Sequence, residues 1–376
     1  MRSGTRMLAI AFGVAATLGA ASPAQAADGV LEPGDSIQAA IDEAQPGDTV
    51  RIGAGEFREN LTITTDDITL RGAGSGRHGT TLMPPDMPTP SPCDPEADEA
   101  YGICIAGAFD DATGAPATPV TGVTVKHLTV NGFPDTGVEA LNAHDLTVRG
   151  VRAQSNAGYG IAGFILSGVR FAHNIASNNG EPGIYIGDSP DAQAVVIGNT
   201  SIANGVGGEG FGFLLRDANH GLVIGNKATG NCAGFVFIDS SFNPDVALVD
   251  WTAVGNTATR NNGACPRTEA FPTFSGTGIL LGGTHGVTVT KNAVFGNRPA
   301  LRGSPFSGGI VVVSTKNISD SAAFAEGTDP TDNHVTRNIA FFNEPDDIRW
   351  DRSGSGNRFK RNRCGDSTPA RICRHG

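Results

Sequence analysis

A glycine followed by a short apolar run recurs at nearly constant spacing, and no other feature restricts the fold of this chain as strongly. It reads GVEAL from Gly137, GIAGFIL from Gly160, GIYIGDS from Gly183 and GFGFLLRD from Gly210, then GFVFIDS from Gly234, GILLGG from Gly278 and GIVVVS from Gly309. The first five are separated by 23, 23, 27 and 24 residues. Each run is the length of a short strand. A second phrase is locked to the first: asparagine, four residues, asparagine. It occurs at Asn174/Asn179, Asn199/Asn204, Asn226/Asn231, Asn256/Asn261, Asn292/Asn297 and Asn338/Asn343, with Asn357/Asn362 as a more distant match. Asparagine tolerates the left-handed backbone of sharp corners, and stacked amides can hydrogen-bond as a ladder. Residues between the asparagines, such as Thr200 to Ala203, supply another short strand.

Helical repeats and strand–helix–strand units are excluded, because no 10–15-residue helical periodicity separates the strands. What remains is an all-β solenoid of roughly ten coils, each too small to bury an apolar face until its neighbours stack on it. Fifty-two glycines with only 17% charged residues suit such a chain of tight turns. Its first coil needs a cover. Ser36 to Ala44 carries apolar residues at helical spacing behind Asp35 or Ser36 as N-cap, and this predicts a capping helix within about 33–48. Alternating strands follow at Thr49–Ile52, Leu61–Ile63 and Ile68–Leu70.

The run SIQAAIDEAQPGDTVRIGAGEFRENLTIT, then ITLRGAG and the asparagine–glycine coils, resembles bacterial right-handed parallel β-helix repeat proteins of the pectin-lyase-like superfamily. The resemblance spans about residues 33–363. It implies a single-stranded right-handed parallel β-helix; relatives include polysaccharide lyases, polygalacturonases, alginate epimerases and nitrous-oxide-reductase maturation proteins. The matching residues are core, turn and cap positions, so the resemblance speaks to fold before function.

Residues 1–26 read as an export signal: Arg2 and Arg6, an apolar run from Met7 to Ala20, and Ala24-Gln25-Ala26 as cleavage site. That run is too short for a membrane span, and none is expected later. A secreted, extracellular protein is therefore expected, with 27–376 as one β-helix domain. Its six cysteines fall into the close pairs Cys93/Cys104, Cys232/Cys265 and Cys364/Cys373. Local disulfides close the cheapest loops; metal binding is the rival reading, but no CxxC is present. Loss of Arg2 and Arg6 takes the net charge from −11 to −13. Such a surface argues against nucleic acid or an anionic membrane as partner. It also disfavours a polyanionic glycan unless the groove is locally basic or holds calcium. A polysaccharide partner and a monomer are expected.

Insertions of a solenoid gather on one side and can wall a groove. Four are expected, at 83–119, 263–276, 298–307 and 315–333. Counting from each glycine, the first and third residues (Ile184 and Ile186, Phe211 and Phe213, Phe235 and Phe237) should point inward. The outward position between them reads Glu139, Ala162, Tyr185, Gly212, Val236, Leu280, Val311. Beyond the strand ends, Asp188, Asp217 and Asp239 fall on adjacent coils, with Arg216 and His220 beside them. Stacked carboxylates repel unless a cation or a proton relieves them. They are candidate ligands for Ca²⁺ or for a uronate, with Arg216, His220 or Tyr185 as the group that takes the proton at C5 of a uronic acid. The competing reading has each aspartate bonded to its own turn.

Other constellations are poorer. Asp239, Asp245 and Asp250 could serve a glycoside hydrolase, but the NxD…DD signature of polygalacturonases is missing, and Asp346-Asp347 sits late, where a capping coil is expected. Asp329-Pro330-Thr331-Asp332 keeps the frame of the alginate-epimerase motif without its histidine. His127, His144, His173, His285 and His334 stand singly near turns. The expected function is a β-eliminating lyase or an epimerase of uronate-containing glycan, or else a non-catalytic β-helix that binds glycan or envelope components or serves as an accessory factor.

Overall fold

The computed structural model describes residues 29–93, 100–205, 210–240, 246–268, 271–316, 318 and 327–373; the expected export signal, 1–26, lies outside them. The chain winds as a parallel β-solenoid with three strand-bearing faces. The first face holds the glycine-led strands, among them Val138–His144, Ile161–Ser167, Ile184–Ser189, Ala233–Ile238, Thr277–Gly282 and Gly308–Val313. The second runs from Val30–Leu31, paired with Thr49–Ile52, to Arg358–Lys360. The third holds the strands between paired asparagines, such as Ile175–Ser177 and Thr200–Ile202. Phe211–Ile224 passes from the first face to the second without a break, which joins those two into one sheet; the third face has 11 strands among the described residues. Described strand ladders are parallel throughout, each coil bonding to the next.

The glycine of each phrase is required by space. A Cβ on Gly160 would stand 2.5 Å from the Gly183 carbonyl oxygen, one on Gly212 2.6 Å from that of Gly234, and one on Gly234 2.5 Å from that of Gly278. Real Cβ atoms do not approach that closely, so this column packs backbone on backbone. The GFGF phrase departs from the expected alignment by two residues: Ile184 pairs with Phe213 and Tyr185 with Leu214. Gly212, not Gly210, therefore stands in the glycine column. Phe213 and Leu215 enter the solenoid core, whereas Phe211 lies on the outer face against Phe274, ring centroids 4.6 Å apart. The expected inward place of Phe211 and outward place of Gly212 are corrected accordingly.

Two asparagine ladders run along the corners that flank the third face. In one, Asn226 Nδ2 donates to Asn256 Oδ1 at 3.0 Å and to the Val196 carbonyl at 2.9 Å, while its own Oδ1 accepts from the Asn199 backbone and side chain. The other runs through Asn179, Asn204 and Asn231 to Asn343 and ends on Asp347, whose Oδ1 accepts from Asn343 and whose Oδ2 accepts from the Gly365 N–H. Asp347 thus closes a ladder within the capping coil. Asn357 and Asn362 are not one repeat unit: Asn357 continues from Asn333, and Asn362 from Asn338.

The cap helix covers Ile37–Glu43, with Ser36 as N-cap and Ile37 and Ile41 buried on the first coils. Glu59 accepts hydrogen bonds from the Ile37 and Gln38 N–H groups at its first turn. All three local disulfides are formed, Cys93–Cys104, Cys232–Cys265 and Cys364–Cys373. The expected insertion at 83–119 contains a full rung: Ile103–Ala106 pairs with Val138–Leu141 on the first face, and Cys104 lies on it. No helix of the described residues is long and apolar enough to cross a membrane.

At the C-terminal end the coils continue past residue 363, where the stretch of resemblance stops. Ser367–Thr368 adds a further strand, paired in parallel with Ile348 and Arg349. Cys373 then turns back to Cys364, and both half-cystines are buried in the same apolar core as the coils before them. Cys373 is therefore a core residue of the terminal turn and ties it down, where the repeat pattern had already stopped.

Candidate functional site

The outer surface of the first face carries a second apolar core. Ala162, Tyr185, Leu214, Val236, Leu280 and Val311 project outward from successive coils, and Phe271, Phe274 and Phe306 from the insertions close over them. Phe274 bridges Phe211 and Phe306 with centroids 4.6 Å from each. Cys232–Cys265 pins the covering segment to the coil beneath. The insertions at 263–276 and 298–307 therefore roof the middle coils instead of walling a polar groove over them. An outward column of apolar side chains is what such a roof requires. Cys364 and Cys373 take no part here: their bridge belongs to the terminal coil, and its role is structural.

Chemistry gathers at the edge of this roof. Tyr185 lies flat along its own strand over Gly187, where a Cβ would overlap the phenol. Its ring stacks on Tyr159 at 5.1 Å and meets Phe164 at 4.9 Å. From the neighbouring coil the Arg216 guanidinium stands 5.3 Å from the Tyr185 ring centroid, within cation–π range. Arg216 Nη2 lies 3.4 Å from Asp188 Oδ2, and its Nε 3.8 Å from Asp217 Oδ2. Burial opposes the Arg216 charge, but Tyr185, Asp188, Tyr159 and Asp217 outweigh it and hold its pKa above the ordinary value. Tyr185 is fully buried; among the described residues its hydroxyl has no hydrogen-bond partner of good geometry. Burial raises its pKa against the pull of the Arg216 charge.

Asp188, Asp217 and Asp239 do fall in one register column, since Gly187 pairs with Arg216 and Arg216 with Ile238. Asp188 and Asp217 both take the left-handed corner conformation, φ 49° and 47°. Their carboxylates turn to different partners. Asp217 accepts from the Ser240 N–H at 2.7 Å and from its hydroxyl; burial, only partly offset by these bonds, pushes its pKa up to about 7. Asp239 is pushed up to about 6 by burial, against hydrogen bonds from Thr328 and Leu248. Asp188 turns to Arg216. Among the described residues no three His, Cys, Asp or Glu side chains converge as a metal would need, so the column does not fit a Ca²⁺ ion and no step below uses one.

His220 does not join the cluster. It occupies the next corner, exposed, with Nδ1 3.0 Å from Asp191 Oδ1 and Nε2 3.7 Å from Asp250 Oδ2. Asp250 is engaged there, away from Asp239, and Asp245 lies outside the described residues. Asp329 pairs with Lys316 at 2.7 Å and accepts from the Ser314 hydroxyl. His127 and His173 are left-handed corner residues, φ 60° and 56°.

Three residues of this face were not singled out by sequence. Glu139 is buried on the outward column; burial first, then Asp135 and Glu181, pushes its pKa up to about 8. It is the lone acid in an apolar column, which was a readable signal. Tyr159 precedes a repeat glycine and carries no periodic mark, and Gly187 looks like any other glycine. Two open concavities lie elsewhere: one of about 630 Å³ on the third face, lined by Lys227, Arg260 and Phe342 among others, and one of about 860 Å³ beside the first coils, near Asp66 and Phe109.

The family model described as right handed beta helix region matches residues 97–209. No curated protein matches the chain in sequence. Among solved structures, the A-module of Azotobacter vinelandii mannuronan C-5 epimerase AlgE6 is similar over 90% of this chain and 92% of that one, at 17% identity and a TM-score of 0.60. The AlgE4 A-module from the same organism gives 90% and 93% coverage, 17% identity and 0.56. The periplasmic alginate epimerase AlgG gives 90% and 84%, 12% and 0.54. At these identities the likeness is one of fold.

Proposed function

We propose, from a right-handed parallel β-helix shared with those structures, that this chain is an exported protein acting on a uronate-containing polysaccharide. The reaction would be epimerisation or β-elimination at C5. One observation carries the reading: Arg216 is held between the Tyr185 ring and the Asp188 carboxylate at the edge of the roofed face. A uronate carboxylate meeting Arg216 would lose its negative charge to the guanidinium, which acidifies the adjacent C5–H and stabilises the enolate formed when that proton leaves. Tyr185 is the proposed proton-transfer group and Asp188 positions Arg216. In elimination the Tyr185 phenolate takes the C5 proton, those electrons form the C4–C5 double bond as the C4–O bond breaks, and the departing oxygen is protonated by water; in epimerisation water returns a proton to C5 from its other face. The three disulfides support an oxidising location.

The test is to incubate the mature protein with a panel of uronate polysaccharides. Ultraviolet absorbance reads the unsaturated product of elimination, and solvent-deuterium uptake at C5 reads epimerisation. Either signal, lost in folded Tyr185→Phe and Arg216→Ala variants, supports the site. Silence in both readouts would overturn it. That outcome favours the second reading, a glycan-binding scaffold without turnover, which the complete burial of Tyr185 supports.

A further inference from the structure

The third face carries a cationic, aromatic-floored groove far from the chemistry of Tyr185. Lys227, Arg260 and Arg298 contribute one exposed cation from each of three successive coils, whose strands Lys227–Thr229, Thr257–Thr259 and Ala293–Phe295 pair in register. Phe295 lines the same concavity, and the next coil adds Phe342, 71% exposed on a corner with φ 65°. Its ring stands 6.2 Å from that of Phe341 and presents its remaining surface to the groove.

A second basic strip borders this face. Lys291, Arg337 and Arg361 occupy one corner on three stacked coils, with φ 56°, 57° and 59°, linked through Lys291 N–H to the Thr336 carbonyl and Arg337 N–H to that of Lys360. Among the described residues, Lys227, Arg260, Lys291, Arg337 and Arg361 form no ion pair; the acid facing the groove is Glu344, 3.4 Å from Arg298, both ends exposed. Exposed pairs of that kind neutralise little. From residue 348 to the end, eight basic residues stand against two acidic ones, in a chain whose net charge is −11.

We propose that this groove binds a linear acidic polysaccharide, independently of turnover at Tyr185. Along the corner of Lys291, Arg337 and Arg361 the coils repeat every ~4.8 Å, about the length of one hexose in an extended chain, so successive cations of that strip meet successive carboxylates, while Lys227, Arg260 and Arg298 step obliquely across the face. Phe342 and Phe295 supply apolar surface for the C–H faces of the sugar rings. A duplex nucleic acid fits less well: its broad phosphate surface would face the negative remainder of the molecule beyond this strip.

The experiment is affinity electrophoresis of the mature chain through gels containing polygalacturonate or a neutral glucan, with duplex DNA titrated in parallel. Retention by polygalacturonate alone, weakening with added salt, is expected. The Lys227→Glu/Arg260→Glu variant should lose about tenfold in affinity and Phe342→Ala several-fold, with unchanged thermal midpoints because all three side chains are exposed. The Lys227→Glu/Arg260→Glu variant should keep the ultraviolet and deuterium-uptake signals of the unaltered protein, which separates this surface from the proposed turnover. Absence of retention, undiminished retention in the charge-reversal variant, or equal affinity for DNA would overturn the proposal.

Discussion

The Arg216 guanidinium and the Tyr185 ring, on neighbouring coils, lie 5.3 Å apart, and the ring could not lie there if Gly187 carried a side chain. Gly187 stands in register between them, on the strand of Tyr185 and opposite Arg216. The phenol fills the space its missing Cβ leaves. Gly187→Ala must therefore lift the ring off the strand, with an overpacking cost of about 1–3 kcal/mol and loss of any turnover. Tyr185→Phe keeps the ring and deletes a buried hydroxyl that has no partner of good geometry among the described residues. Its stability should match or exceed that of the unaltered protein by about 1 kcal/mol, while turnover is lost. Chemical denaturation alongside the uronate assay separates the two effects.

Turnover that depends on Tyr185 as a base should climb toward alkaline pH. Burial raises the phenol pKa, so the phenolate is scarce at neutrality and its fraction grows with pH. A rate that peaks in acid would remove Tyr185 from that role.

Stability should move the other way. Asp217 at about 7, Asp239 at about 6 and Glu139 at about 8 all hold protons in the folded chain at pH values where the unfolded chain has released them. The folded state then binds more protons, so stability is fullest below about pH 4 for these three groups and falls as pH climbs through 6 to 8. Thermal midpoints from pH 5 to 8.5 should decline, and Glu139→Gln should flatten the upper part of that decline.

Asn226→Ala should cost about 2–4 kcal/mol. It strips acceptors from the Asn199 amides and a donor from the Val196 carbonyl in a dry corner, and unsatisfied buried groups carry their full desolvation penalty. Asp347→Asn, at the end of the other ladder, should cost less, because an amide oxygen still accepts from Asn343. Urea titration measures both.

Mild reduction of Cys232–Cys265 should release the roof before it unwinds the solenoid. That bridge spans 33 residues and is worth about 3–4 kcal/mol in the loop-entropy picture. Once it opens, the rings of Phe211, Phe271 and Phe274 become accessible to a hydrophobic dye. Dye fluorescence should rise while the far-ultraviolet dichroism of the strands holds.

Periodicity made most of the fold legible. The glycine column and the asparagine ladders are contacts between equivalent residues of successive coils, so the same interaction is written into the sequence once per turn. The cap helix and the local disulfides were readable for a related reason, because their partners are close along the chain. What was not periodic was not legible. The terminal turn that buries Cys373 carries no glycine or asparagine phrase, so its place in the core was invisible although its pairing with Cys364 was not. The two-residue offset that sends Phe211 outward, and that brings Asp217 into the column of Asp188, belongs to one coil alone, and apolar alternation cannot register it.

The sequence by itself determined a stack of parallel coils with an aspartate column beside Tyr185 and Arg216. Only the tertiary structure decided that Asp217 turns to Ser240, that Asp188 turns to Arg216, and that His220 stands apart at the next corner. It also decided that the insertions roof the glycine-led face while an open basic groove lies on the third. The reason is physical: backbone repeats fix where a residue sits on a coil, but the direction of a carboxylate and the cover over a face depend on side chains arriving from insertions with no repeat to predict them.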